Sequence, residues 1–151
     1  MKRKIAAISP LALLTLSACG GGSSGGGVTA SLRDFAGNAV KGPLQNAFVF
    51  LDLDGDGVYE AGSGEKGDWT DANGGYSISD VDESDIGTAT VLRVFTKDVA
   101  TAAGITGAGA GNTVDTLTSA DVSGIQLSAP DDATMVTPMT TLVAEAGVTE
   151  A

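Results

Sequence analysis

The stretch "AFVFLDLDGDGVYEAGSGE", residues 47–65, begins as an apolar segment and ends as a series of carboxylates. Successive side chains of a β-strand point to opposite faces, so a strand over Ala47–Leu53 would be apolar on both of its faces. One face carries Val49, Leu51 and Leu53, and the other carries Phe48 and Phe50. We therefore expect Ala47–Leu53 to be a central strand that is covered on both sides, with the acids starting where it leaves the core.

The acids after this strand have the spacing of a calcium-binding loop. When residues 52 onward are aligned with the loop of an EF-hand, Asp52, Asp54 and Asp56 fall at its first, third and fifth positions. Gly57 follows at the sixth position, where the backbone turns. Ser63 stands where that loop has its last glutamate, so Glu65 would close a loop that is two residues longer. The predicted metal ligands are the carboxylates of Asp52, Asp54, Asp56, Glu60 and Glu65, and the backbone carbonyl of Val58.

Two interpretations of the loop 52–65 are open. Calcium is bound by hard oxygen atoms, and a cation would compensate carboxylates that otherwise repel one another. Asp and Gly are also common in solvated turns, so an acidic turn without a metal is the other interpretation. Magnesium is disfavoured because it retains its waters and takes fewer protein ligands. We expect calcium, with the weak affinity that is typical of extracellular modules.

Short apolar runs separated by Gly, Asn and Asp predict a mainly β body over residues 28–130. The turn "DANGGY", residues 71–76, predicts a hairpin between Trp69-Thr70 and Tyr76. Short strands with regular turn signals are typical of a small antiparallel β-sandwich. The other predicted strands are Ala39–Lys41, Asp68–Thr70, Tyr76–Ser79, Thr90–Thr96 and Gly124–Leu127.

The end of the chain, residues 131–151, predicts a short helical tail. Thr137 stands at the N-cap, Pro138 at the first helical position and Gly147 at the C-terminal stop. One face of this helix would carry Met139, Leu142, Val143 and Ala146. Because "VTEA", residues 148–151, has the pattern of another helix start, we expect the chain to be truncated, as part of a longer protein.

The composition excludes several classes of function. The 151 residues include 8 basic and 19 acidic side chains, one cysteine and no histidine, and the formal net charge is −11. Nucleic acid is not an expected partner, because binding to phosphates needs clusters of Lys and Arg. Without histidine the chain cannot build a Ser-His, Cys-His or His-metal site, and we do not expect an enzyme. A single cysteine cannot form a disulfide within the chain.

The N-terminal segment "MKRKIAAISPLALLTLSAC", residues 1–19, has the parts of a signal peptide: basic residues, an apolar stretch and small residues before Cys19. Leu16, Ala18 and Cys19 resemble the lipobox of bacterial lipoproteins. The resemblance implies cleavage after residue 18 and a lipid on Cys19, which would anchor the protein in the bacterial cell envelope, at the outer membrane or cell surface. Residues 19–27 then form the lipidated cysteine with a flexible Gly/Ser tether. A secretion signal with an incidental cysteine is the other interpretation.

The order of the motifs in residues 40–79 is that of a known family. The residues that carry it are Gly42, Pro43, Leu44, Ala47, Phe48, Gly57 and the acids of the loop 52–65, then Thr70, Asp71, Gly74 or Gly75, and Tyr76. This order resembles the prealbumin-like β-sandwich modules of bacterial surface proteins, which include adhesin B-repeats and carboxypeptidase-regulatory-like domains. Residues 128–147 are similar to a segment that follows such modules. The resemblance implies a calcium-stiffened, non-catalytic module with a structural or adhesive role.

A second class of function depends on Trp69, the only tryptophan. An exposed tryptophan can stack on a sugar ring, because its large face is apolar and its edge is polar. No aromatic residue stands beside it in the sequence, which favours packing on an edge strand. The alternative to a structural or adhesive module is therefore a carbohydrate- or peptide-binding module presented on the cell surface.

Overall fold

The computed structural model describes residues 30–107 and 109–146. These residues form a mainly β protein with a short C-terminal helix, as the sequence predicts. The strands are β1 Leu32–Ala39, β2 Leu44–Gln45, β3 Phe48–Asp52, β4 Gly67–Trp69, β5 Gly75–Asp82, β6 Val91–Phe95, β7 Thr113–Asp115, β8 Ala120–Val122, β9 Gln126–Pro130 and β10 Met135–Val136. The α-helices are α1 Lys97–Ala102 and α2 Pro138–Glu145. The predicted signal peptide, Cys19, the tether and the predicted stop at Gly147 lie outside the described residues.

The strands form three sheets in the described part of the chain. The β3 sheet has the order β4-β3-β6-β9, the β1 sheet has the order β10-β1-β5, and the small β7 sheet has the order β2-β7-β8. Neighbouring strands are antiparallel, as predicted, except that β10 runs parallel to β1. Parallel strands need a long connection between them. Here β1 and β10 are separated along the chain by strands of all three sheets and by α1.

The central strand β3 separates two apolar clusters, as the sequence predicts. Val49 and Leu51 lie in the larger cluster, together with Ile78 of the β1 sheet. Phe48 and Phe50 lie in a second cluster on the opposite face, which also contains side chains of α1. All five residues of β3 are buried, because β4 and β6 flank the strand and both of its faces are covered.

The turn at residues 71–75 forms, but the predicted hairpin across it is wrong. The Asp71 carboxylate accepts hydrogen bonds from the backbone N–H groups of Asn73 and Gly75, and Gly74 has a positive φ of 77°. The strands on its two sides join different sheets, since β4 pairs with β3 and β5 pairs with β1. The turn therefore carries the chain from one sheet to the other, and the partner of β5 is a strand that the sequence pattern did not reveal.

That strand, β1, covers residues that the sequence prediction leaves without structure. Only Phe35 and Ala39 are buried in its eight residues, so its alternation of apolar and polar side chains is weak. The predicted strand Ala39–Lys41 is wrong, because β1 ends at Ala39 and Val40 makes only an isolated bridge to Pro43. A strand with few apolar residues forms mainly because neighbouring strands pair with it, so its own sequence gives little sign of it.

The residues after 130 are packed into the β body and do not form a separate tail. Strand β10 extends the β1 sheet, and Val136 is fully buried in the larger core cluster. Helix α2 starts as predicted, with Thr137 at the N-cap and Pro138 at the first position, and Thr140 completes a reciprocal capping box. The boundary that the sequence suggests at residue 130 therefore divides one folded unit.

The apolar face of α2 does not point into the core. Met139 and Leu142 are 71% and 65% exposed. The helix contacts the edge of β9 through polar groups instead: Thr141 Oγ1 accepts from the backbone N–H of Ser128, at 2.9 Å, and the Thr140 hydroxyl donates to the Ser128 carbonyl, at 3.1 Å. These two threonines satisfy edge groups of β9 that no strand pairs in the described part of the chain.

Candidate metal centre

The loop 52–65 leaves the core at the end of β3 and returns to it just before β4. Glu65 closes this loop: its Oε1 accepts a hydrogen bond from the backbone N–H of Leu53, at 3.0 Å, and its Oε2 accepts one from that of Glu60, at 2.8 Å. Its side chain is only 4% exposed. The loop is two residues longer than an EF-hand loop, but Glu65 still lies next to Asp52 and Asp54, as the predicted metal site requires.

Asp52 organises the first turn of the loop from a fully buried position. Its Oδ1 accepts from the backbone N–H of Gly55, at 2.8 Å, and its Oδ2 accepts from that of Gly57, at 2.9 Å. Both glycines have positive φ angles, 79° and 82°, which L-residues with side chains rarely adopt. The two glycines therefore allow the backbone to wrap around the Asp52 carboxylate.

Three of the predicted ligands come together. One carboxylate oxygen each of Asp52, Asp54 and Glu65 lie within 4.8 Å of one another, and this cluster could hold a metal ion. Asp52 and Glu65 are buried, whereas Asp54 is exposed and would meet an ion from the solvent side. Carboxylate oxygens are the hard ligands that Ca²⁺ and Mg²⁺ prefer, so the donor set fits either ion.

Two other predicted carboxylate ligands, Asp56 and Glu60, are exposed and lie outside this cluster, and the role of the Val58 carbonyl stays a prediction. Asp54 Oδ1 accepts from the N–H of Asp56, at 3.1 Å, and Asp56 Oδ1 accepts from the N–H of Val58, at 2.7 Å. Each of these aspartates therefore closes a short turn with the residue two positions ahead. Glu60 contributes its backbone N–H to the loop and not its carboxylate.

Arg93 is the residue of this site that the sequence analysis missed. It lies on β6, opposite Phe50, and its Nε donates to Asp52 Oδ2 at 2.5 Å. A second contact joins its Nη2 to the carbonyl of Gly55, at 3.4 Å. The Arg93 side chain is 19% exposed and that of Asp52 is fully buried, so this is a largely buried ion pair. The single base inside the apolar run "VLRVF", residues 91–95, is the sequence signal of this contact, because a charged side chain among buried residues favours a partner of opposite charge.

The environment of Glu65 opposes its charge. Burial raises the pKa of the Glu65 carboxyl, and the nearby charges of Asp52 and Asp54 add to this rise. The hydrogen bonds from the N–H groups of Glu60 and Leu53 act in the opposite direction, because they stabilise the carboxylate. A cation among these three acids would favour the ionised form in the same way.

A second feature, the aromatic cleft, lies on the outer face of the β3 sheet, next to the loop 52–65. It is a cavity of about 470 Å³ lined by Phe48, Tyr59, Gly67, Asp68, Trp69, Ile105 and Thr106, among others. Trp69 lies on the edge strand β4, as expected, but it does have aromatic partners: its ring centroid is 5.1 Å from that of Phe48. Tyr59, from the loop 52–65, packs on the same phenylalanine.

Comparison with protein families, with characterised proteins and with solved structures found no match to this chain. Within residues 30–107 and 109–146, neither helix has the length and hydropathy that crossing a bilayer requires. The resemblance to prealbumin-like surface modules therefore stays a prediction from the sequence motif alone.

Proposed function

We propose that this protein is a lipid-anchored module of the bacterial cell surface, with a non-catalytic β body that calcium stabilises through the loop 52–65. Its role would be structural or adhesive. The observation that supports this proposal is the convergence of the Asp52, Asp54 and Glu65 carboxylates at one point. An excess of buried negative charge is costly unless a cation compensates it.

Local charge favours a divalent ion. The cluster contains three carboxylates, and Arg93 is the base that pairs with one of them. When all three acids are ionised, the group carries a formal charge of −2, which one divalent cation neutralises. Calcium is favoured over magnesium because it accepts irregular sets of protein oxygens with added waters, whereas magnesium demands a near-ideal octahedron.

The hydrogen bonds of the two buried acids support a structural role for the loop 52–65. Both oxygens of Asp52 and both oxygens of Glu65 already accept hydrogen bonds from the loop backbone. These acids therefore hold the loop in shape, and a bound ion would add to that function. Calcium would tie the start of the loop to its end and so stiffen the connection between β3 and β4.

The proposed location depends on the segment before the folded body. Cys19, in its lipobox-like setting, would carry the lipid, and the Gly/Ser residues after it would hold the β body away from the membrane surface. Replacing Cys19 with serine should release the protein from the membrane fraction of the producing bacteria. Unchanged membrane association of Cys19→Ser would contradict the lipid anchor but would leave the metal centre untouched.

The metal centre is tested with two neighbouring aspartates. We expect millimolar calcium to raise the melting temperature of the lipid-free protein above its value in EDTA, and calorimetry to detect calcium binding. Asp54→Asn should remove most of this rise, because Asp54 belongs to the cluster. Asp56→Asn is the matched control: it removes the same charge from the same loop, and Asn retains the oxygen that accepts the local hydrogen bond.

The result that would overturn the metal centre is a melting temperature that does not respond to calcium at any concentration up to several millimolar. Equal losses in Asp54→Asn and Asp56→Asn would instead overturn the ligand set, because the calcium response would then follow the total charge of the loop. A larger response to magnesium than to calcium would overturn the assignment of the ion.

A further inference from the structure

Tyr59, in the loop 52–65, packs back onto the second apolar cluster. Its ring meets Phe48 edge-on, with the ring centroids 4.9 Å apart, and meets Phe50 in the same way at 5.4 Å. Phe48 is 3% exposed and Phe50 is fully buried, whereas Tyr59 is half-buried. Edge-to-face contacts between aromatic rings are favourable, so Tyr59 covers the two phenylalanines on the side of the loop.

The backbone of residues 58–64, which we name the strap, has few attachments to the rest of the protein. In the described part of the chain, two hydrogen bonds reach the strap from outside it. The N–H of Val58 donates to Asp56 Oδ1, at 2.7 Å, and the N–H of Glu60 donates to Glu65 Oε2, at 2.8 Å. The last five residues of the strap are exposed. An exposed segment with few contacts opens more readily than the core beside it.

Glu65 attaches the strap to the end of β3. Its buried carboxylate accepts hydrogen bonds from the N–H of Glu60, in the strap, and from the N–H of Leu53, directly after β3. Oxygens of Asp52 and Asp54 lie within 4.8 Å of an oxygen of Glu65. Like charges at this separation repel one another, so these acids weaken the attachment when no cation lies between them.

We propose that the metal centre regulates the strap and, through Tyr59, the cover of the second apolar cluster. With the ion bound, Glu65 holds the strap closed, and Tyr59 lies over Phe48 and Phe50. Without the ion, the strap opens as a unit and uncovers the two phenylalanines. The part of the ion rests on the calcium site proposed above. At the cell surface, calcium would then set how much apolar surface this face of the β3 sheet presents.

The size of the effect follows from the affinity of the ion. Opening the strap withdraws Glu65 from Leu53 and so takes the metal centre apart. An ion that binds the closed form alone makes opening rarer by the factor 1 + [Ca²⁺]/Kd. At a calcium concentration of about ten times the Kd, the open form should therefore be about tenfold less populated than in EDTA.

Amide hydrogen exchange of the whole lipid-free chain measures this opening, in EDTA and in calcium at about ten times the Kd that calorimetry gives. Exchange in the strap should slow by about tenfold. Residues 116–119, the turn between β7 and β8, are the control, because they can open without releasing the ion and should exchange equally in both. Low concentrations of urea should hardly change the exchange of the strap, since a local opening exposes little surface.

Variants of Tyr59 test whether its ring holds the strap closed. Tyr59→Ala removes the contacts with Phe48 and Phe50 and should speed the exchange of the strap in EDTA by at least about fivefold. Tyr59→Phe keeps the ring and should leave this rate unchanged. Val58→Ala is the neighbouring control: the Val58 side chain is 52% exposed, and its truncation should also leave the rate unchanged.

Calcium that binds in calorimetry and leaves the exchange of the strap unchanged would overturn the regulation, while the metal centre itself would stand. Absence of calcium binding would overturn the metal centre and the regulation together. Exchange of the strap that rises with urea as steeply as that of β6 would show global unfolding and no separate strap. Equal rates in Tyr59→Ala and Tyr59→Phe would refute the part of the ring. If Tyr59→Ala fails to fold, the calcium and urea measurements on the unchanged protein still decide.

Discussion

Asp52 is fully buried, and its charge is met by groups of the protein itself. Two backbone N–H groups and the Nε of Arg93 donate to its oxygens. A bound cation is therefore not required to hold the Asp52 carboxylate in place. The ion would mainly compensate Asp54 and Glu65, which have no basic partner in the described part of the chain.

Because Arg93 forms a largely buried ion pair with Asp52, we expect that replacing Arg93 lowers the unfolding free energy strongly. Arg93→Met would leave the Asp52 carboxylate buried without its base, which costs roughly 3–5 kcal/mol of unfolding free energy. The measurement is chemical denaturation in EDTA, so that no metal replaces the lost charge. Arg33→Met is the matched control, because Arg33 is 40% exposed and lies 3.7 Å from Asp131, and such surface pairs contribute about 1 kcal/mol or less. Similar losses in the two variants would show that Asp52 does not depend on Arg93.

Tyr76 predicts a sensitivity to alkaline pH. Burial raises the pKa of Tyr76 to about 12, and its hydroxyl has no hydrogen-bond partner in the described residues. An unfolded tyrosine ionises near pH 10, so between about pH 10 and pH 12 ionisation favours the unfolded chain, and stability falls as the pH rises. Tyr76→Phe should lose less stability over this interval. At pH 8 it should be more stable by roughly 1 kcal/mol, since an unpaired buried hydroxyl is removed.

Urea denaturation of Tyr76→Phe and of the unchanged protein, at pH 8 and at pH 11, makes this comparison. The difference between their unfolding free energies should be larger at the higher pH. A constant difference would mean that the Tyr76 hydroxyl ionises as readily in the folded protein as in the unfolded chain.

At the scale of single elements, short strands and helices hold their places through close contacts. Strand β4 has three residues and lies at the edge of the β3 sheet, where it pairs with β3. Helix α2 leaves its apolar residues Met139 and Leu142 exposed and binds β9 through threonines. The position of such an element depends on a few specific contacts and not on the area that it buries.

One of these contacts is the close approach of Gly67, the first residue of β4, to Phe48 and Val49 of β3. A Cβ at this position would lie 2.4 Å from Cζ of Phe48 and 2.7 Å from the carbonyl oxygen of Val49, so β4 can approach β3 only without a side chain there. Gly67→Ala should cost about 1–3 kcal/mol of unfolding free energy. Gly62→Ala, at a loop position with nothing within 4 Å, should change it by less than about 0.5 kcal/mol. Equal stabilities of the two alanine variants would refute this close packing.

At the scale of the whole molecule, the last described residues complete the structure. Val136 of β10 is fully buried against the core that the β1 and β3 sheets share, and α2 covers the β9 edge. Removing the chain after residue 130 would expose the core on one side and leave Ser128 groups unpaired. The cost is comparable to the total stability of a small domain, about 5–15 kcal/mol.

We therefore expect residues 30–146 to unfold cooperatively in urea and residues 30–130 to show no cooperative transition. Circular dichroism and urea titration of the two chains provide the measurement. A native-like transition in the shorter chain would restore the boundary at residue 130, with β10 and α2 as an independent tail.

Local patterns in the sequence were sufficient for several features. The alternation over residues 48–52 predicted two buried faces for β3, and the structure confirms both. The cap at Thr137 with Pro138 predicted the start of α2, and the spacing of Asp52, Asp54 and Glu65 predicted a cluster of acids. Each of these depends on residues that are close together in the chain, where backbone geometry alone decides which side chains can meet.

Other features were decided only by the tertiary structure. Arg93 is 41 residues from Asp52, and the pairing of β6 with β3 brings them together. The aromatic cleft joins Tyr59 from a loop to Trp69 from an edge strand, and β1 takes its place from its pairing with β5. Contacts at such separations depend on which strands pair and how the sheets pack. The spacing of residues within one segment of the chain does not predict either.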